Sequence, residues 1–255
     1  MTTHHVLILG GTTEARELAG RLAEHDDLKL TLSLAGRTRA PAPQPVPTRT
    51  GGFGGAEGLA RWLEAERVAL LIDATHPYAA RISHNAADAA ARAGVAILAL
   101  RRPPWQRVEG DRWQEVANID DAAAALGSAP RRVFLTLGRQ EVGPFEAAPQ
   151  HHYLIRSVDP IEPPLGVPDA TYLTSRGPFA EADERALLEQ HRIDAIVAKN
   201  SGGTATYGKI AAARELGIPV ILVQRPELPD VPAAATVDEA VAMTAHALSL
   251  EKRGE

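Results

Sequence analysis

The sequence predicts an α/β protein of two Rossmann-like, doubly wound domains, with parallel sheets and a ligand cleft between them. Three observations carry the prediction. Short apolar runs alternate with segments of helical periodicity, the pattern of strands buried on both faces between layers of helix. The alternation occurs twice, once in each half of the chain. The 255 residues fit two domains of ordinary size and can bury a core without covalent staples.

Residues 6–9 are an apolar run that ends in Gly10 and Gly11, and they read as a buried strand. Residues 12–24 follow as a helix, with Ala15, Leu18, Ala19 and Leu22 on one face. Residues 28–35 are a second strand, after which Pro41, Pro43, Pro45 and Pro47 impose an extended loop. Residues 56–66 are helical through Leu59, Trp62 and Leu63, and 68–72 form a third strand. Residues 78–93 make an alanine-rich helix stopped by Gly94, and 95–100 a fourth strand.

The second half repeats the grammar. Strands are expected at 133–137, 153–158, 195–198 and 220–223, and helices at 180–191, 204–216 and 237–248. Residues 105–127 hold no strong strand and read as a bridge. The expected domains are therefore 1–118 and 119–255, with a last helix that suits either half.

Composition removes several classes of function. There is no cysteine, so thiolate metal sites, disulfides and a cysteine nucleophile are excluded. A net charge of −5 argues against nucleic acid as a partner. No run approaches the ~20 apolar residues of a membrane span, and the N-terminus lacks a secretory pattern. A soluble, cytoplasmic, monomeric protein is expected. Lysine occurs four times, at Lys29, Lys199, Lys209 and Lys252, which makes each worth inspecting.

The first glycine loop, Gly10-Gly11-Thr12-Thr13-Glu14-Ala15, joins a strand to a helix, where a dinucleotide fold places its phosphate loop. It meets the G-x-G-x-x-G/A pattern only in part, because Thr12 takes the second glycine's place. A threonine there offers a hydroxyl to a phosphate; a plain glycine turn is the competing reading. An NAD-binding fold carries an acid after its second strand. Here residues 28–56 contain no acid, and the strand runs into Gly36-Arg37-Thr38-Arg39. Arg37 with Thr38 suits a 2′-phosphate, which favours NADPH over NADH. Gly52, Phe53 and Gly54, inside a cluster of four glycines in five residues, supply amides close to the same ligand.

The third strand ends in Asp73-Ala74-Thr75-His76-Pro77-Tyr78. Ligands of open α/β sheets sit at the carboxyl ends of strands, so Thr75, His76 and Tyr78 are placed to reach a bound ring. Thr75 also suits a helix cap and Pro77 a first helical turn. His76 and His84 lack partners at metal-ligand spacing, so no metal is expected.

In the second half Lys199-Asn200-Ser201-Gly202-Gly203-Thr204 follows a strand and offers donors to carboxylates or phosphates. Residues 203–209 match G-x-x-x-x-G-K, but Ile210 stands where a magnesium-binding hydroxyl is required. The match reads as accidental and Lys209 as a solvent-facing helical lysine. Arg139 lies in a loop after a strand, and Ser175 and Arg176 lie before a helix; they can join an anionic site, although taken singly the arginines read as surface residues.

Taken together, the first glycine loop, Gly51-Gly52-Phe53-Gly54-Gly55, Asp73-Ala74-Thr75-His76-Pro77-Tyr78-Ala79, Arg101-Arg102-Pro103 and Lys199-Asn200-Ser201-Gly202-Gly203 resemble the precorrin-6A reductases of corrin biosynthesis. The resemblance runs from residue 6 to about residue 226. It implies NADPH-dependent reduction of one double bond of precorrin-6A, a macrocyclic polycarboxylate, to give precorrin-6B. It implies that Gly10, Gly11, Thr12, Thr13, Glu14 and Arg37 hold NADPH and that Thr75 and His76 lie near the nicotinamide. It places Lys199, Asn200, Ser201, Gly202, Gly203 and Thr204 toward the substrate, and Tyr78, Arg139 and Ser175, from their own positions in loops, are expected to join them. The proton that completes the reduction has four candidate sources: His76, Tyr78, Lys199 or a bound water. The family also includes enzymes of the cobalt-containing substrate, and these motifs do not separate the two.

Overall fold

The structure is a computed structural model that describes residues 3–36, 38 and 41–251. The first half of the chain holds β1 (His4–Leu9), α1 (Thr13–Leu22), β2 (Leu28–Leu34), β3 (Thr48–Thr50), α2 (Gly55–Ala65), β4 (Val68–Asp73), α3 (Ala80–Ala93), β5 (Ala96–Leu100), β6 (Trp113–Val116) and α4 (Ile119–Ala125). The second holds β7 (Arg132–Thr136), a 3-10 turn (Gly143–Ala147), β8 (His152–Ser157), β9 (Ala170–Thr174), α5 (Glu181–Gln190), β10 (Ala195–Lys199), α6 (Gly208–Leu216), β11 (Val220–Val223), β12 (Ala233–Ala234) and α7 (Val237–Glu251).

These strands form two parallel six-stranded sheets, ordered β12-β5-β4-β1-β2-β3 and β6-β11-β10-β7-β8-β9. Each is doubly wound. In the first sheet the chain begins in the middle at β1, adds β2 and β3 on one side, then returns to add β4, β5 and β12 on the other; in the second, β6 comes first but takes an edge, and the same pattern starts from β7. Alternate residues face opposite layers. Val6, Ile8, Leu32, Leu70 and Ile72 pack beneath α1 and α7, and Leu7, Leu9 and Leu71 pack on α2 and α3 through Leu59, Leu63, Ala86 and Ala90. In the second sheet Phe134, Leu154, Ile196, Ala198 and Leu222 pack on Leu188, Ile210 and Ala213 of α5 and α6.

The chain divides into two compact units, Met1–Pro103 with Pro226–Glu255, and Pro104–Arg225. This differs from the expected division at 118/119. The cause is the outermost strand of each sheet. β6 leaves the first unit and pairs with β11, Trp113 opposite Val220. β12 leaves the second unit and pairs with β5, Ala233 opposite Ala99. Burial fixes both choices. Trp105 and Trp113 are in the second unit's core, whereas Val237, Ala240 and Leu248 of α7 are in the first unit's.

Two helices start later than their periodicity predicts. α3 begins at Ala80 rather than 78, and α6 at Gly208 rather than 204. In both cases the extra residues belong to the loop that leaves a strand.

Candidate ligand-binding loops of the two units

In the first sheet the winding reverses between β1 and β4, and in the second between β7 and β10. Ligands of open parallel sheets bind at the carboxyl ends of the strands flanking such a reversal. Of the sequence candidates, Gly10 to Glu14, Thr75, His76, Tyr78, Arg139 and Lys199 to Thr204 lie in the loops after those strands or at their ends.

In the first unit, Gly10 lets the loop lie against β2, because a Cβ there would sit 2.7 Å from Leu32 Cδ1. Gly11 has φ +116°, a conformation that favours glycine. Thr12 caps α1: its Oγ1 accepts from the Ala15 amide (3.0 Å) and donates to the Ala74 carbonyl (2.9 Å). The hydroxyl proton is thus committed to Ala74 rather than offered to a phosphate. Among the described residues no acceptor meets the amides of Gly11, Thr12, Thr13 or Glu14. Four unpartnered N–H groups at a helix N-terminus, reinforced by its dipole, suit a diphosphate. The Glu14 carboxylate is held by Arg102 (2.6 Å), which tempers its repulsion of an anion.

Arg37 lies outside the described residues, and Thr38 is half-buried. A different arginine is found at the end of β2. Arg49, on β3, donates to Ser33 Oγ (2.8 Å) and to the carbonyls of Gly51 (3.0 Å) and Gly52 (3.2 Å). Its guanidinium lies 3.7 Å from the centre of the Phe53 ring, and burial lowers its pKa. No carboxylate pairs with it among the described residues. Arg49 thereby ties Gly52, Phe53 and Gly54 to the end of β2. Gly58 is required beneath them, since a Cβ there would come 1.8 Å from the Phe53 carbonyl oxygen. Sequence reasoning passed over Arg49, although it stands just before the glycine cluster in an acid-free stretch.

At the end of β4 the buried Asp73 carboxylate accepts from the Thr75 amide (3.2 Å) and hydroxyl (2.6 Å). Thr75 therefore caps no helix; the N-cap of α3 is Ala79, and Pro77 lies in the turn before it. His76 Nδ1 accepts from the Tyr78 amide (3.3 Å), and the two half-buried rings are 5.7 Å apart.

In the second unit Lys199 pairs with Glu141, whose other oxygen accepts from the Gly138 amide (2.9 Å). This joins the turn after β7, which carries the half-buried Arg139, to the loop after β10. The Asn200 side chain clasps Trp105, accepting from its amide (2.7 Å) and donating to its carbonyl (3.0 Å). Ser201 is buried with its Oγ 3.3 Å from Thr206 Oγ1. Gly202 and Gly203 have φ of +68° and +71°. Ser175 follows β9, its amide donating to Ser157 (3.0 Å). That segment reaches the loop where the Phe179 amide donates to Ala205 (3.0 Å).

The carbonyls of this loop are consumed one by one. Gly203 accepts from Trp105 Nε1 (2.7 Å), Thr204 from the Tyr207 amide (3.1 Å), Ala205 from Phe179 and Thr206 from Lys209 Nζ (2.6 Å). The amides of 202–206 meet no acceptor among the described residues. A run of unpartnered donors following Lys199 in the chain has the chemistry to receive an anion.

Lys209 is not the solvent-facing residue expected. It is 4 % exposed, its ammonium lies 5.0 Å from the Trp105 ring centre, and its pKa falls to about 7. Burial is the largest cause, the neighbouring Arg156 adds to it, and Glu184 opposes it. Ile210, which breaks the P-loop match, is fully buried core.

A family model described as precorrin-6x reductase CbiJ/CobK matches residues 5–245. A precorrin-6A reductase of Sinorhizobium sp is 62% identical, over 98% of this chain and 95% of that protein. One from Rhodobacter capsulatus is 51% identical, over 91% of this chain and 92% of that protein. A solved structure named CobK precorrin-6A reductase superimposes with a TM-score of 0.92 at 48% identity, covering 96% of this chain and 97% of that one. With two parallel α/β units and these matches over nearly its whole length, the chain belongs to the precorrin-6A reductase family and is an oxidoreductase.

Proposed function

We propose that the chain reduces precorrin-6A to precorrin-6B with NADPH as the hydride source. The observation that carries this is the pair of unpartnered amide runs, 11–14 and 202–206, at the winding reversals of a chain of this family. The first run, with the dipole of α1, holds the cofactor diphosphate. The end of β2 offers the 2′-phosphate a cation, Arg49, beside the Ser33 hydroxyl, in place of the acid that an NAD site carries. NADPH, when bound, supplies a hydride from its nicotinamide ring.

The protein's own task is to orient and to protonate. Asp73 fixes Thr75, and the His76–Tyr78 pair stands at the adjacent strand end to flank the ring and deliver a proton. Lys199, engaged by Glu141, serves as a charged anchor for a substrate carboxylate, together with the 202–206 amides. No helix among the described residues is long and apolar enough to cross a membrane, which is in keeping with work in the cytoplasm. Anaerobic incubation with precorrin-6A and NADPH tests the reading. The expected result is a matched change in both chromophores; no consumption of either overturns it.

A further inference from the structure

The buried charge beneath the 202–206 loop has no part in the scheme above. Lys209 sits in the first turn of α6. Its stem is enclosed by the second unit's core, and its ammonium touches the Thr206 carbonyl and the Trp105 ring. The same indole donates to Gly203, and its backbone is clasped by Asn200. The Lys209–Trp105 contact thus underlies the loop at both ends of its amide run. The other charged groups acting on Lys209 are Arg156 from β8 and Glu184 from α5. They form a buried bidentate ion pair with each other, stacked on Phe179 at 3.7 Å. Their charges cancel, so a protonated Lys209 leaves this interior with one net positive charge and a neutral one leaves it with none. A charge in such a place is costly, and an apolar side chain would fill the same space.

We propose that Lys209 is a positioning residue for the substrate. It holds the carbonyl side of the 202–206 loop, and its buried positive charge strengthens the grip of the opposite, amide side on a macrocycle carboxylate. The inference rests on the functional reading above. By linkage, an anion on the amides favours protonated Lys209, and loss of that proton weakens the anion. Burial places the exchange near neutrality.

The test is steady-state kinetics of Lys209→Met against the intact chain from pH 6 to 8.5, with direct measurement of NADPH affinity. The intact chain is expected to show KM for precorrin-6A rising as pH passes about 7. Lys209→Met is expected to show a KM about ten-fold higher at pH 6 and flat with pH, one pKa unit of coupling being ten-fold. Its kcat and NADPH affinity stay within about two-fold, as no reacting atom is touched. A folded Lys209→Met with unchanged KM, or with the pH dependence retained, overturns the proposal. If that variant does not fold, the intact chain with ¹³C-labelled lysines decides. Only four lysines are present, and precorrin-6A without NADPH should raise the Lys209 titration midpoint; an unmoved midpoint overturns the proposal. Intact protein that consumes neither NADPH nor precorrin-6A overturns the functional reading instead, which keeps the two failures apart.

Discussion

The loops after β1 and β10 solve one problem in two ways. Each follows a central parallel strand, and each leaves a run of backbone amides without an internal acceptor. The first feeds directly into α1, so its donors are a helix N-terminus and its field is the helix dipole. A neutral hydroxyl, Thr12 Oγ1, fastens it to the Ala74 carbonyl. The second enters α6 through the turn at 205–207, so its opening amides, at Gly202 and Gly203, stand away from that helix's N-terminus. Two left-handed glycines shape it, and an ammonium, Lys209 Nζ, fastens it to the Thr206 carbonyl. The contrast teaches that a loop deprived of a helix N-terminus needs another source of positive potential, and here a buried lysine is at hand.

Valine at Gly11 and at Gly203 should break the two loops separately. Both positions have positive φ, so a β-branched side chain forces the backbone to move. Gly11→Val is expected to weaken NADPH by about 100-fold, roughly 2.7 kcal/mol, with KM for precorrin-6A nearly unchanged. Gly203→Val is expected to do the reverse. Isothermal titration with NADPH and steady-state kinetics check each arm, and equal damage to both ligands would dissolve the comparison. Arg49→Ala comes next. It should weaken NADPH about 30-fold, near 2 kcal/mol, and NADH by less than about three-fold, as read from Kd values for the two dinucleotides.

The pH dependence of stability separates the charged fastener from the neutral one. The pKa of Lys209 is about 7 in the folded chain against 10.5 ordinarily. Between those values the unfolded chain binds the extra proton, so stability rises with pH from about 7 to 10 and is insensitive to this group below 7. In Lys209→Met that rise should disappear. Thermal melts of both proteins across this range measure the difference.

Much of this arrangement is legible in the sequence. Residues 6–9 and 220–223 announce buried strands because they are short, wholly apolar and stop at glycine or polar residues, and both are fully hydrogen-bonded centres of their sheets or next to them. The Lys199 to Thr204 segment was legible as a donor-rich loop leaving a strand because polar residues and glycines follow a short apolar run. What was not legible depends on long-range pairing. β12 is two residues long and β9 half-exposed, so neither has a periodicity to read; each exists because a neighbouring strand offers it an edge. The late start of α6 is hidden as well, since the carbonyls of Gly203, Ala205 and Thr206 are taken by Trp105, Phe179 and Lys209, and sequence proximity does not reveal the first two of these partners. The burial of Lys209 follows the same rule. Its spacing from Ile210 and Ala213 locates a helix but not which side the second sheet will cover.

Thr12→Val should have the smallest effect, and it tests the first loop's fastening on its own. Valine keeps the volume and loses both hydroxyl hydrogen bonds, to Ala15 and to Ala74. Loss of the cap should lower stability by about 1 kcal/mol, seen as a fall in the denaturation midpoint. NADPH affinity should fall less than about three-fold, because the groups proposed to hold the phosphate are the amides of 11–14 and these survive the change. If the hydroxyl itself held the phosphate, the ranking would invert, with affinity lost by ten-fold or more and stability little changed. Serine at the same position retains the hydroxyl and should restore both, which ties any loss to the hydroxyl's bonds with Ala15 and Ala74 rather than to the shape of the side chain.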